Sequence, residues 1–368
     1  MRTEASLYIP GLNGIRAIAA LIVLFCHIDQ FSYKFGSSNI GFWTFGMAAH
    51  GVTIFFTLSG FLITYLLLLE RQKGIIISNF YIRRILRIWP LYFLLIILTI
   101  LLLWIFPELR PEAHLGSSLL MYLLFVPNLA FVMDYTIMTI TPLWSVGVEE
   151  QFYLFWPILI KFFSNIFIAL VTICIFYVII KLCAYYSGIN LFYSFVIETR
   201  IDCMAIGGFG AYLIHDEKKA ILNVLFSKIF QILAWLVLLF SIIVKPLNIH
   251  TFINNEMYSF LALIIIINVG FNKNSIIKLE NYFFNFIGRI SYGIYCYHML
   301  VIALLFLFKN KYLSNFNLNA TITYLIIIIH TIFISHLSYR YFESYFIKKK
   351  WNFAVVKTTD DNPAVHKN

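Results

Sequence analysis

Residues 11–29 read GLNGIRAIAALIVLFCHID, and the fold of the whole chain turns on that stretch. It is apolar and long enough to cross a membrane as a helix, yet it carries Arg16 near its start and His27 near its end. Eleven residues separate the two. That is close to three helical turns, so both side chains fall on one face, about 16 Å apart along the axis. An ionisable side chain inside a membrane helix is costly and marks a functional site by default. Two on one face describe a polar path through the membrane.

The remaining composition agrees. Of 368 residues, 61% are hydrophobic and 12% charged, with a mean hydropathy of +0.85. Runs at 91–106, 166–181 and 229–244 are predominantly apolar and approach bilayer length. These features predict an all-α polytopic bundle of transmembrane helices; a β-barrel would alternate apolar and polar residues instead. The formal net charge of +10 sits mostly in short segments between apolar runs. It therefore reads as a signal for membrane topology, not as a nucleic-acid footprint. The five cysteines form no CxxC pair, so neither a zinc site nor a disulfide framework is expected, and no metal site is assigned. The first apolar run lacks a small-residue cleavage site and reads as an uncleaved helix.

Ten crossings are expected, near 11–29, 49–69, 89–106, 143–160, 166–183, 199–214, 222–244, 257–271, 284–308 and 321–341, with 119–133 partial or re-entrant. The segment 71–87 carries Arg71, Lys73, Arg83, Arg84 and Arg87, flanked by Glu70. The positive-inside rule places it, and with it the N-terminus, in the cytoplasm. Basic residues at 215–219, 272–278 and 348–350 then favour a cytoplasmic C-terminus as well, provided 119–133 does not fully cross; Lys309 and Lys311 oppose this mildly. The expected organisation is one membrane domain over 1–345 and a cytoplasmic polar tail over 346–368.

Several stretches carry residues capable of chemistry. A neutral imidazole at His27 can take a proton from a hydroxyl or carry an acyl group briefly; a packing histidine is the plainer reading, weakened by the in-phase Arg16 and by Asp29 nearby. In FYIRRILRIWP, Arg84 and Arg87 are three apart on one helix face. Topology alone explains such arginines, but guanidinium forks at a cytoplasmic rim also suit phosphates. In TPLWSVGVEEQFYLFWP, residues 141–157, the adjacent carboxylates Glu149 and Glu150 point about 100° apart, so at least one faces the interior. Either an arginine is paired there, or His27 is oriented and its basicity tuned. ETRIDC holds Glu198, Arg200 and Asp202, read as a salt-bridged network. FFTLSGF supplies Ser59 and Gly60, which favour close helix packing over catalysis. GRISYGIYCYH puts Ser291, Tyr295 and His298 near one face, with His298 a second imidazole candidate. No GxSxG surrounds Ser59, and Walker, GxGxxG and HExxH patterns are missing from the sequence.

Taken in order, Arg16 and His27, FFTLSGF, RRILRIWP, WSVGVEEQFY, RIDCMAIGG and FIGRISYGIYCYH resemble the signature blocks of the acyltransferase-3 family of integral membrane proteins, over roughly residues 6–345. The family is typified by bacterial O-acetyltransferases of surface polysaccharide. The resemblance implies transfer of an acyl group, usually acetyl, from cytoplasmic acyl-coenzyme A to a hydroxyl of an envelope polysaccharide or its lipid-linked precursor, such as O-antigen or capsule. The expected location is the bacterial inner membrane. By position, His27 is the implied catalytic histidine, with Arg16 its first-helix partner. Arg84 and Arg87, with Arg83 beside them, match the basic motif that would hold acetyl-coenzyme A as a cosubstrate; no permanently bound cofactor is implied. Glu149 matches the carboxylate after the Trp-Ser pair, and Arg200 and Asp202 a later polar motif. Glu150, Ser59 and His298 are assigned to a substrate-binding or structural polar network. The implied partners are the acyl donor, a glycan acceptor and membrane lipid, with no nucleic acid. Many relatives add a secreted SGNH-type domain, and this sequence is similar to the standalone members. The competing reading is a proton-coupled transporter or flippase of a lipid-linked glycan, which also uses intramembrane arginine, histidine and carboxylate. A non-catalytic scaffold has no reason to keep buried charges.

Overall fold

The computed structural model describes residues 8–35, 47–111, 113–244, 247, 249, 252–312, 319–354 and 356, and among them every regular element is helical. The chain begins with α1 (Leu12–Phe31), α2 (Met47–Arg71) and α3 (Ile77–Ile105). Two short helices follow, α4 (Leu115–Leu123) and α5 (Pro127–Val132), and then α6 (Leu143–Phe162), α7 (Ile166–Tyr186), α8 (Asn190–Thr199) and α9 (Ile201–His215). The later elements are α10 (Lys219–Leu225), α11 (Lys228–Ile243), α12 (Asn254–Phe271), α13 (Tyr282–Arg289), α14 (Ser291–Tyr312), α15 (Ala320–Ser338) and α16 (Ser344–Lys350). Asn165, Asn281 and Asn319 start α7, α13 and α15 by accepting a backbone N–H of the first turn on their side-chain oxygens.

Seven described helices are long and apolar enough to cross a membrane, or eight if α10 and α11, bent by 51°, form one span. The two further crossings expected from sequence correspond to α6 and α9, and both fall short for a physical reason. The run Glu149, Glu150, Gln151 lowers the hydropathy of α6, and α9 has only 15 residues. These are two of the helices that carry polar motifs. The segment expected to be partial breaks into α4 and α5, with Phe125 in the left-handed region (φ 57°) between them.

Burial separates inner helices from outer ones. The apolar windows of α1, α2 and α14 are 72%, 67% and 67% buried, against 28% for α7. The first three therefore form the middle of the bundle, while α7 and the outer faces of α3 and α11 present Phe176, Trp104 and Leu236 outward, as lipid-facing surfaces do. The tightest crossing is α2 on α9. A Cβ on Gly60 would lie 2.0 Å from the Met204 carbonyl oxygen, and one on Gly207 would lie 2.0 Å from that of Thr57. Glycine at both positions lets the two backbones touch, which fixes the rotation and height of α2.

The segment expected as a tail begins inside the body. Helix α16 packs on α3, and the Arg83 guanidinium donates to the Phe353 carbonyl at 2.8 Å. Lys350 is buried. Residues 355 and 357–368 of that expected tail lie outside the described residues, as do 1–7 and 36–46.

Candidate active site

An elongated cavity runs along α2 from Val52 to Leu66, about 20 Å at the helical rise per residue. Its walls come from five further helices: Arg16 of α1, Arg84 and Arg87 of α3, Ser145, Glu149 and Tyr153 of α6, Ser291 and Tyr295 of α14, and Lys350 of α16. Four cationic side chains thus line it together with one carboxylate, Glu149.

Glu149 is held from both sides. Ser59 Oγ donates to its Oε1 at 2.8 Å and the Tyr153 hydroxyl to its Oε2 at 2.9 Å. Arg87 and Arg84 are the cations that act on it through space. Ser59, read from sequence as a packing residue, therefore faces the cavity, while its neighbour Gly60 does the packing. Tyr153 is four residues after Glu149, and that helical spacing was the signal available for it. The Arg84 guanidinium lies 5.5 Å from the Phe80 ring centroid and 5.8 Å from that of Tyr153. Arg16 donates to the Asn13 side-chain oxygen at 3.0 Å.

The other arginine of the basic motif points elsewhere. Arg83 pairs with Glu70 at 2.8 Å, and both side chains are buried. Arg83 lies only about 40° from Arg87 around the helix, so the face of α3 does not separate them; Arg83 is instead drawn to Glu70 at the end of α2 and to the Phe353 carbonyl. Glu150 also leaves the cavity face: its Oε2 accepts from the Trp89 indole at 3.1 Å, and among the described residues its Oε1 has no hydrogen-bond partner. Lys350 was read from sequence only as part of a topological lysine run, and nothing local marks it as a cavity residue.

His27 lies beyond the cavity's far end. Tyr295, whose hydroxyl is bonded to Ser145 Oγ at 2.7 Å, lines the cavity and also lies against His298, with ring centroids 5.9 Å apart. His298 in turn meets His27, Nε2 to Nδ1 at 3.0 Å, with ring centroids 4.9 Å apart. The side chain that meets the first-helix histidine is therefore His298, not Glu149, and the Val23 backbone one turn earlier on α1 is a second partner of the His27 ring. His298 is completely buried and His27 partly exposed. Asp29 accepts from the Tyr324 hydroxyl at 2.6 Å.

Arg200 and Asp202 lie outside the cavity lining, and the network expected to join Glu198, Arg200 and Asp202 divides in two, Arg200 pairing with Glu198 and Asp202 with Lys181. Arg200 stands at the α8–α9 corner in the left-handed region (φ 47°). It donates to the Ala49 carbonyl at 2.7 Å, to Thr53 at 3.1 Å and to Glu198 at 2.5 Å, and it lies over the Trp144 ring at 5.6 Å. Asp202 accepts from the buried Lys181 at 2.8 Å, and Lys181 also pairs with Glu256. Among the described residues no group of three or more His, Cys, Asp and Glu side chains is arranged to hold a metal ion.

No solved structure matches the chain. A Staphylococcus aureus protein provisionally named an O-acetyltransferase is 30% identical over 93% of this chain and 58% of its own length. A provisionally named peptidoglycan O-acetyltransferase of Bacillus subtilis is 34% identical over 42% of this chain and 24% of its own. The peptidoglycan O-acetyltransferase OatA of Listeria monocytogenes is 32% identical over 41% and 24%. The chain thus spans 58% of the length of the Staphylococcus relative. The acyltransferase-3 family model, described as an acyltransferase domain, matches residues 9–340. With that match over nearly its whole length, and with an all-helical membrane bundle around a cation-lined cavity, the chain belongs to the acyltransferase-3 family.

Proposed function

We propose that this protein is a membrane O-acetyltransferase that takes acetyl from acetyl-coenzyme A at the cytoplasmic face and delivers it to a hydroxyl of an envelope polysaccharide, or of its lipid-linked precursor, in the bacterial inner membrane. The observation that carries this reading is the cavity itself, in which Arg16, Arg84, Arg87 and Lys350 surround one carboxylate. Such a cluster of cations suits a ligand with several phosphates. Coenzyme A is too charged to enter the bilayer, so its phosphates stay among the guanidinium groups while the uncharged arm threads along α2 toward Tyr295.

In the described conformation the cavity ends at Val52, Ser145 and Tyr295. Rotation of the Tyr295 ring, with loss of its bond to Ser145, opens the way to His27. There His27 Nε2 takes the proton of the acceptor hydroxyl as the oxygen attacks the thioester carbon. A C–O bond forms, the C–S bond breaks, and the proton passes to the leaving thiolate to give free coenzyme A. Glu149, fixed by Ser59 and Tyr153, offsets the arginine charge around the arm.

Full-length protein in detergent, given acetyl-coenzyme A, tests this. Thiol release should depend on added glycan, and His27→Gln should abolish it while leaving donor binding intact. Movement of a lipid-linked glycan into vesicles without acetyl-coenzyme A, and no thiol release with it, would replace the enzyme by a transporter.

A further inference from the structure

A buried imidazole in contact with a partly exposed one leaves only certain arrangements of protons. His298 Nδ1 lies 2.6 Å from the Tyr295 carbonyl oxygen. A carbonyl can only accept, so Nδ1 of His298 carries the hydrogen. Among the described hydrogen bonds no carboxylate reaches either ring, and a charge at a fully buried His298 would have no counter-ion. His298 is therefore neutral, and its Nε2 holds a lone pair. That nitrogen is 3.0 Å from His27 Nδ1, so Nδ1 of His27 must be the donor. The hydrogen on His27 is then committed to Nδ1, and Nε2 is left bare.

We propose that His298 is a positioning residue that holds His27 in the Nδ1–H tautomer, so that Nε2 is the basic nitrogen offered to the acceptor hydroxyl; its catalytic consequence rests on the acetyltransferase reading above. The arrangement replaces the carboxylate that usually orients a catalytic histidine with a second imidazole, itself oriented by the Tyr295 carbonyl one turn earlier on α14. It suits a site deep in an apolar bundle, since two neutral rings avoid the desolvation cost of a buried carboxylate. When His27 takes the acceptor proton, the charge is shared along the Nδ1–H to Nε2 contact and needs no ion at rest. The Tyr295 backbone thus anchors the dyad, while the Tyr295 side chain, on the same residue, borders the donor cavity.

The decisive measurement is nitrogen-15 spectroscopy of the histidine-labelled full chain, with His27 identified by the signal lost in His27→Gln. Wild-type protein should show a bare Nε2 and a protonated Nδ1 on His27. A protonated Nε2 there overturns the proposal without any variant at 298. In His298→Phe only the Val23 backbone remains as a partner of the His27 ring, so the tautomer should shift toward Nε2–H, and kcat should fall by about a hundredfold or more, the scale of lost general-base catalysis, with KM for the donor unchanged. His298→Gln supplies both an amide N–H for the Tyr295 carbonyl and an oxygen for His27 Nδ1–H, and should keep the tautomer and the greater part of kcat. If His298→Phe keeps both, His298 is only a packing residue. If wild-type protein shows the tautomer but no acetyl transfer, the dyad stands and the acetyltransferase reading fails.

Discussion

Arg83 and Arg87 are one helical turn apart in a single basic motif, yet their replacement should have opposite consequences. Arg87 lines the cavity. A charge-assisted hydrogen bond to phosphate contributes about 1.5–3 kcal/mol. At about 1.4 kcal/mol per factor of ten, Arg87→Ala should raise KM for acetyl-coenzyme A by about tenfold to a hundredfold or slightly more. Arg83 instead pairs with Glu70, whose side chain is 2% exposed, and holds the Phe353 carbonyl. Arg83→Ala strands a buried carboxylate and frees the C-terminal segment, a loss of about 3–5 kcal/mol in stability. Steady-state thiol release across donor concentrations reads the first effect, and the apparent Tm in detergent reads the second. The expected result is a raised KM with little change in Tm for Arg87→Ala, and a lowered Tm with an unchanged KM in the folded fraction for Arg83→Ala. If Arg83→Ala raises KM as much as Arg87→Ala and melts normally, the division of the motif into a structural Arg83 and a cavity-lining Arg87 is wrong.

Two further outcomes test the scaffold. Lys181→Met removes the cation shared by Asp202 and Glu256 and should cost about 3–5 kcal/mol, with partial recovery when Asp202→Asn is added, both read as thermal unfolding in detergent. Gly60→Ala places a methyl group against the Met204 carbonyl and should destabilise by about 1–3 kcal/mol. Gly116→Ala, in α4 with open space around it, should be neutral or slightly stabilising in the same assay.

The position of Gly60 also explains what the structure added to the site. Local spacing identified Ser59 and Gly60 as neighbours and Glu149 and Glu150 as a divergent pair, and it put Arg84 and Arg87 on one face. It could not say which face of each helix looks inward. The α2–α9 crossing sets that rotation, and it brings Ser59 onto Glu149 while Glu150 turns to Trp89. Lys350 carried no local mark, because its role depends on α16 folding back onto α3.

The membrane class and helical build of this protein were determined by its sequence alone, since long, continuous rather than alternating apolar runs are satisfied in a bilayer as helices. Arg16, Arg84, Arg87 and Glu149, which line the cavity, were visible too, because charge in such runs is rare enough to stand out. Their partners were not. His27 meets His298 across 271 positions, and Arg83 meets Phe353 across 270. Periodicity orders side chains around one helix axis, but contacts between helices depend on crossing points and axial offsets, which only the packed bundle defines.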